Sequence, residues 1–318
     1  MKTKTELISN FLISAVVFLL PFIFWPSPGG YSFEIPKVYF FEAMAGVGFF
    51  CLIARSLLGV VRLKPGRFIK KNIWLSVFLA WLAISTVFSL DVDTAVYGSA
   101  IRGQGLIFWL DGLIFVFLIN YSKNLLPKLP FVITAAAVSQ SLLALYQYLA
   151  LSFFGWPVLS YNGRIIGTFG QPNFLAGWLV ICLPFCLYCR KIVKKKLLEN
   201  IFLFTSCLVF LVIFLTYSRG ALIGLMAVCS YLLLLGKKKS RLPVGIFRFE
   251  SSLVLKSDIE SRLSIWNRAV KIGIERPVSG CGLDNIQTCL KEATLPRRLL
   301  PTDIKNSCAV FRIMNLEF

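Results

Sequence analysis

Four arginines stand in segments whose residue types and spacing suit the binding of an anion. Arg219 lies in TYSRGA, where Ser218 can cap a helix beginning near Gly220. The first turn of a helix presents free N–H groups and the positive end of the backbone dipole, so it favours negative charge. A guanidinium there adds a planar fork matched to phosphate oxygens. The other reading is an arginine that reaches up to lipid headgroups. Arg164 lies in YNGRIIGTFGQPNF, where Gly163, Gly167, Gly170 and Pro172 mark shaped, irregular backbone. It is either a ligand-binding segment or an ordinary loop. Arg102 lies in DVDTAVYGSAIRGQGL; Asp91 and Asp93 are near enough in sequence to pair with it, which competes with a substrate role.

The fourth is Arg262, in IESRLSIWNRAVKIGIER. This segment, residues 259–276, has helical periodicity. Ile259, Leu263, Trp266, Val270 and Ile274 share one face, and Glu260, Ser264, Asn267, Arg268, Lys271 and Glu275 the opposite one. Arg262 and Arg276 break the pattern, projecting beside Trp266, Ala269 and Gly273 on the apolar flank. There they either meet an anion in a cavity or extend from a helix lying at a membrane surface.

Other chemistry is excluded or weak. The chain has no histidine, which removes His-dependent general-base catalysis and His-ligated metals. Of the 9 cysteines, most fall in apolar runs, where Cys behaves as a small hydrophobe. Cys182, Cys186 and Cys189 lie on one predicted helix but lack a fourth ligand, so no metal site is assigned. A disulfide between Cys281 and Cys289 is open.

The elements that position these arginines are membrane spans. Of the 318 residues 57% are hydrophobic and 15% charged, against about 25% charged in soluble domains. The apolar residues come in continuous runs, which excludes a soluble enzyme, a disordered chain, a secreted disulfide scaffold and an alternating outer-membrane barrel. The expected class is all-α, a polytopic transmembrane bundle of about eight spans, at 8–25, 38–61, 73–90, 106–121, 131–151, 174–189, 201–217 and 221–236. Gln140, Gln147 and Asp111 are the polar exceptions inside them; hydrogen bonding between helices is the default for the glutamines. The net charge of +19 sits in short clusters between the runs, which argues against nucleic acid.

Placing the N-terminus in the cytoplasm puts clusters such as Arg67, Lys70, Lys71, then Arg190 to Lys196, then Lys237 to Arg241 inside. It leaves outside only Lys37, Arg102, Arg164 and Arg219 up to that point, and the positive-inside rule then fixes a multi-pass inner-membrane topology. Two regions follow: a transmembrane bundle over 1–241, and a partial extramembrane segment over 242–318 with the amphipathic helix at 259–276.

The strings GRIIGTFGQPNFLAGWL, TYSRGALIGL and SRLSIWNRAVKIGIERPVSGCGLDN resemble, in order, signatures of the O-antigen ligase and polymerase-like family. GSAIRGQG is similar to an earlier loop of that family. The resemblance implies a C-type membrane glycosyltransferase that moves an oligosaccharide from an undecaprenyl-diphosphate carrier to an acceptor at the outer face of the plasma membrane. It implies no cofactor and no obligatory metal, membrane lipids and the lipid-linked glycan as partners, and Arg164, Arg219 and Arg262 as the diphosphate ligands. Arg102 and Arg276 are additional candidates.

Two departures stand against the family pattern. A further span is expected before the Arg262 helix, but residues 242–258 are short and hold Arg248, Glu250, Lys256 and Asp258. With eight spans Arg262 then falls in the cytoplasm, across the membrane from Arg219. The family histidine is also missing; Lys305, in TDIKNSCAVF, stands nearby, and a lysine of ordinary pKa is a poor base at neutral pH. A truncated, catalytically incomplete member with no assigned catalytic residue is the expectation. The alternatives are a transporter or flippase for lipid-linked glycans, or a non-catalytic subunit of a glycan-assembly complex.

Overall fold

A computed structural model describes residues 2–27, 30–59, 66, 70, 72–122, 125–155, 158–226, 254–275 and 280–285. The chain is mostly helical. The helices are α1 Lys2–Leu19, α2 Ile35–Leu57, α3 Ile73–Val87, α4 Val92–Tyr97, α5 Leu106–Asn120, α6 Leu129–Leu149, α7 Pro172–Ile192, α8 Lys196–Leu215, α9 at 219–226 and α10 Val254–Glu275. Two short antiparallel hairpins interrupt them: β1 Trp25–Ser27 with β2 Gly30–Ser32, and β3 Ser160–Tyr161 with β4 Arg164–Ile165.

Among the described residues four helices are long and apolar enough to cross a membrane: Ile35–Leu57, Leu129–Phe154, Pro172–Ile192 and Lys196–Leu215. Three shorter apolar helices, Leu7–Phe22, Ile73–Val87 and Leu106–Asn120, lie in the N-terminal part with the first of them. The predicted run at 221–236 is helical over 219–226, and the remainder lies outside the described residues. The start signals are plain in the sequence. Pro36, Pro130 and Pro172 each stand in a first helical turn, where the missing N–H has no partner to lose.

Two three-helix groups form the core. Leu12, Ile13 and Val16 of α1 close on Ala45 and Leu52 of α2 and Phe115 and Leu118 of α5. Ala137 and Ala144 of α6, Leu175, Leu179 and Cys186 of α7, and Val209, Val212 and Ile213 of α8 form the other. Small residues on α6 let its neighbours approach closely, as expected of helices that pack within lipid. Contacts between α1 and α6 join the two groups.

The antiparallel order gives the bundle two ends. At one, Glu34 meets Arg102, Lys37 donates to Thr168 O at 2.6 Å, and Arg164 donates to Thr216 O. At the other, Arg55 donates to Ser9 Oγ at 3.1 Å and Arg190 pairs with Glu199. They are called below the Arg164 end and the Arg55 end.

Candidate functional site

The site is built on the segment 160–171. Asn162 and Gly163 both have positive φ, 51° and 73°, so Tyr161 and Arg164 face each other across a two-residue hairpin. Asn-Gly is the dipeptide such a turn favours. Beyond the hairpin the chain descends into the bundle. Ile165, Ile166, Gly167 and Thr168 are all buried, although none belongs to a helix.

Irregular backbone at this depth needs protein partners for its polar groups. They come from α6. Gln147 Oε1 accepts from the amides of Ile166 at 3.3 Å and Gly167 at 2.8 Å, and its Nε2 donates to Gly167 O at 3.0 Å. Seven residues earlier, about 10 Å deeper along the helix, Gln140 Nε2 donates to Thr168 Oγ1 at 2.7 Å and to Pro21 O at 3.2 Å. The Thr168 hydroxyl also donates to Pro21 O. The two glutamines therefore brace a loop and the end of α1, where bonding from helix to helix is the default expectation. Gly167 has φ +57°, and an added Cβ would lie 3.0 Å from Gln140 Oε1.

Arg164 emerges from this braced segment. Its Nε and an Nη both donate to Thr216 O, at 3.0 and 2.6 Å. Thr216 ends α8, and Tyr217 follows with φ +52°, a conformation unusual for a bulky residue and found disproportionately at functional sites. Ser218 then caps α9, its Oγ accepting from Ala221 N at 3.4 Å, as its place in TYSRGA predicts. Arg219 is the first residue of α9 and is exposed.

Two arginines separated by 55 positions are thus brought to one turn: Arg164 holds Thr216 O, three residues before Arg219. Burial, and then the Arg219 charge beside it, pull the Arg164 guanidinium below its ordinary pKa. Among the described residues Arg164 has no carboxylate partner. A second guanidinium near a helix N-terminus suits an anion of more than one negative charge.

The remaining candidates divide. Arg102 lies at the same end and is exposed, with Nε 3.9 Å from Glu34 Oε2. The nearer acids in sequence do not take it, because Asp91 caps α4 through Asp93 N and Thr94 N. The loop carrying Arg102 is closed by glycines: a Cβ on Gly98 would strike the backbone of Gly103 and Gln104. Arg262 lies within α10, which runs Val254–Glu275 rather than 259–276. Leu263, Trp266, Val270 and Ile274 form an exposed apolar face on that helix. Arg276, Lys305 and Cys289 fall outside the described residues.

The segment just after α10 is anchored at the Arg164 end. Asn285 is buried and its Nδ2 donates to Ser89 Oγ at 2.6 Å and Asp91 O at 2.9 Å. Asp284 Oδ2 accepts from Ser99 N at 2.7 Å. Residues 280–285 therefore sit on the loop between α3 and α4 and the start of the Arg102 loop. Cys281 is disulfide-bonded, and since Cys51, Cys182, Cys186, Cys189 and Cys207 are free, its partner lies outside the described residues. Among the described residues no group of three metal-ligating side chains occurs.

Three residues of this end carry no signal in sequence that singles them out: Thr168, Asp284 and Asn285. Sequence alone makes Lys37 an outer-loop cation, yet it sits 4.9 Å over the Phe169 ring while bonding Thr168 O. Comparison with protein-family models, with curated proteins and with solved structures finds no match.

Proposed function

We propose that the chain is a membrane glycosyltransferase of the O-antigen ligase-like class, with a polyprenyl-diphosphate-linked oligosaccharide as donor and a cell-surface group as acceptor. The observation that carries this reading is the two-donor hold of Arg164, on a braced loop, on Thr216 O, three residues before Arg219 at the start of α9. An acceptor nucleophile attacks the anomeric carbon of the reducing-end sugar. The bond from that carbon to the diphosphate oxygen breaks, and the lipid diphosphate leaves with the electron pair. Charge grows on the leaving group, and two fixed cations stabilise it without a metal. The acceptor proton passes to a base for which no residue is assigned.

In this reading the protein lies in the plasma membrane with about eight spans, the N-terminus in the cytoplasm and the Arg164 end facing out. The anchoring of residues 280–285 at that end supports an approach of Arg262 to the same diphosphate, with Arg102 at the rim. The test uses the full chain in proteoliposomes with an undecaprenyl-diphosphate oligosaccharide and detergent-solubilised acceptor fractions. Arg164→Ala and Arg219→Ala are each expected to lower transfer about 100-fold, the usual loss for one transition-state donor. Unchanged transfer in both variants overturns the clamp. Movement of the glycolipid between leaflets without bond cleavage favours a flippase instead.

A further inference from the structure

Gln147 is 4% exposed and sits in an apolar helix, yet it makes three hydrogen bonds to a single dipeptide of an irregular segment. One amide group satisfies both backbone groups of Gly167 and the amide of Ile166. A neighbouring strand would do the same for a strand residue. Gly167 can be gripped this way because its φ of +57° turns its N–H and C=O toward α6.

From that grip a continuous path runs to both arginines. Ile165, 1% exposed, lies between the gripped dipeptide and Arg164 and leaves the segment no slack. Arg164 reaches Thr216 O with two donors, and Thr216 is two residues before the cap of the helix that opens with Arg219. Thr216 Oγ1 in turn accepts from Ser218 N at 3.3 Å. Moving the 166–167 dipeptide therefore moves Arg164, and moving Arg164 releases the turn that presents Arg219.

We propose that Gln147 is a positioning residue: it fixes the loop so that Arg164 is held against the turn that presents Arg219, and both guanidiniums serve one diphosphate. Its consequence for binding rests on the diphosphate reading above; its mechanical part does not. Glutamine suits the task because it donates and accepts at once from a neutral group that membrane burial tolerates. Leucine fills the same space and makes none of the bonds. A glutamic acid, neutral when buried, can accept through its carbonyl oxygen and donate through its hydroxyl.

The test uses the full-length protein in lipid nanodiscs with inorganic pyrophosphate as probe, and amide hydrogen exchange as an independent readout. Gln147→Leu is expected to weaken pyrophosphate binding about tenfold and Gln147→Glu to restore it to within about threefold, the scale of one charge-assisted hydrogen bond first removed and then re-formed. In an Arg164→Ala background Gln147→Leu should add less than about twofold, the non-additivity of residues acting as one unit. Exchange should quicken at 166–167 and also at the 216–219 turn. Additive effects, or a turn at 216–219 whose exchange is unchanged, overturn the proposal. If Arg164→Ala or the parent protein shows the diphosphate reading to be wrong, exchange coupling between the two segments decides the role of Gln147 alone. If the leucine variant loses protection throughout α6 and α7, Gln147→Asn, polar but one methylene short, replaces it with the same expected outcomes.

Discussion

At the Arg55 end, Arg190 and Glu199 pair at 3.2 Å with side chains 37% and 45% exposed, and Lys191, Lys194 and Lys195 stand in the open beside them. At the Arg164 end, one guanidinium is half-buried, is turned onto a backbone carbonyl and lies next to a second guanidinium. Exposed cations keep their hydration wherever the chain puts them, so their number records topology and little else. A half-buried cation beside another suffers both desolvation and repulsion. Only a surrounding structure that resists the repulsion keeps it there, and the braced loop is that structure.

Arg55 shows that burial by itself is not the sign. It is 3% exposed, deeper than Arg164, but its guanidinium donates to neutral groups: Ser9 Oγ at 3.1 Å and Tyr121 O at 3.4 Å. These bonds join α2 to α1 and to the end of α5. It is a staple between helices, whereas Arg164 holds the turn that leads to a second, exposed arginine.

The comparison breaks most visibly if the wrong end matters for transfer. Lys194→Ala should leave transfer within about twofold while either arginine variant loses about 100-fold. A comparable loss at Lys194 would mean that the fall reflects net charge and not a site. The staple predicts a different pattern. Arg55→Met keeps most of the stem and removes the guanidinium, leaving two acceptors short of a partner at about 1–3 kcal/mol together. The apparent unfolding temperature in detergent should fall, with the donor KM of the folded fraction unchanged. A raised KM at normal stability would move Arg55 into the functional machinery.

A smaller effect sharpens the Arg164 end. Asn285→Ala removes two hydrogen bonds, to Ser89 and Asp91, at about 1–2 kcal/mol net. Exchange should quicken over 280–285 and 89–99 without reaching α7 and α8. Protection left as it was at 89–99 would show that the segment does not dock there, and Arg262 would lose its route to the site.

Much of this is readable in the residues, for stated reasons. The apolar runs mark the helices because lipid demands long continuous segments. Ser218 marks the start of α9 because a cap needs its hydroxyl there. Asn162-Gly163 carries an equally plain hairpin signal that the count of glycines alone does not use. The misreadings come from distance along the chain. Sequence offers Arg102 the acids closest to it, but Glu34, 68 positions away, is the one beside it. Gln140 and Gln147 stand seven apart on one helical face next to a glycine-rich loop. That spacing is compatible with a braced loop, but nothing local says which segment folds back onto α6. Arg55 is hidden because its apolar neighbours dominate the run that contains it. Nothing in sequence brings Arg164 to Arg219; only the family resemblance implies a shared ligand.

The least effect expected is the most useful control on the whole contrast. Arg190 and Glu199 make a single ion pair between side chains that both meet solvent. Their coupling, from the two single variants and the double, should be about 0.2–1 kcal/mol. It should shrink further near 1 M salt, where the screening length is about 3 Å. Arg164 and Arg219 carry like charge, so the same cycle there should give a coupling of opposite sign: the loss of Arg164, which also breaks its two bonds to Thr216 O, should cost less stability when Arg219 is already gone. A stabilising coupling at both ends would mean that the two arginines do not share a site, and the anion they are held for would have none.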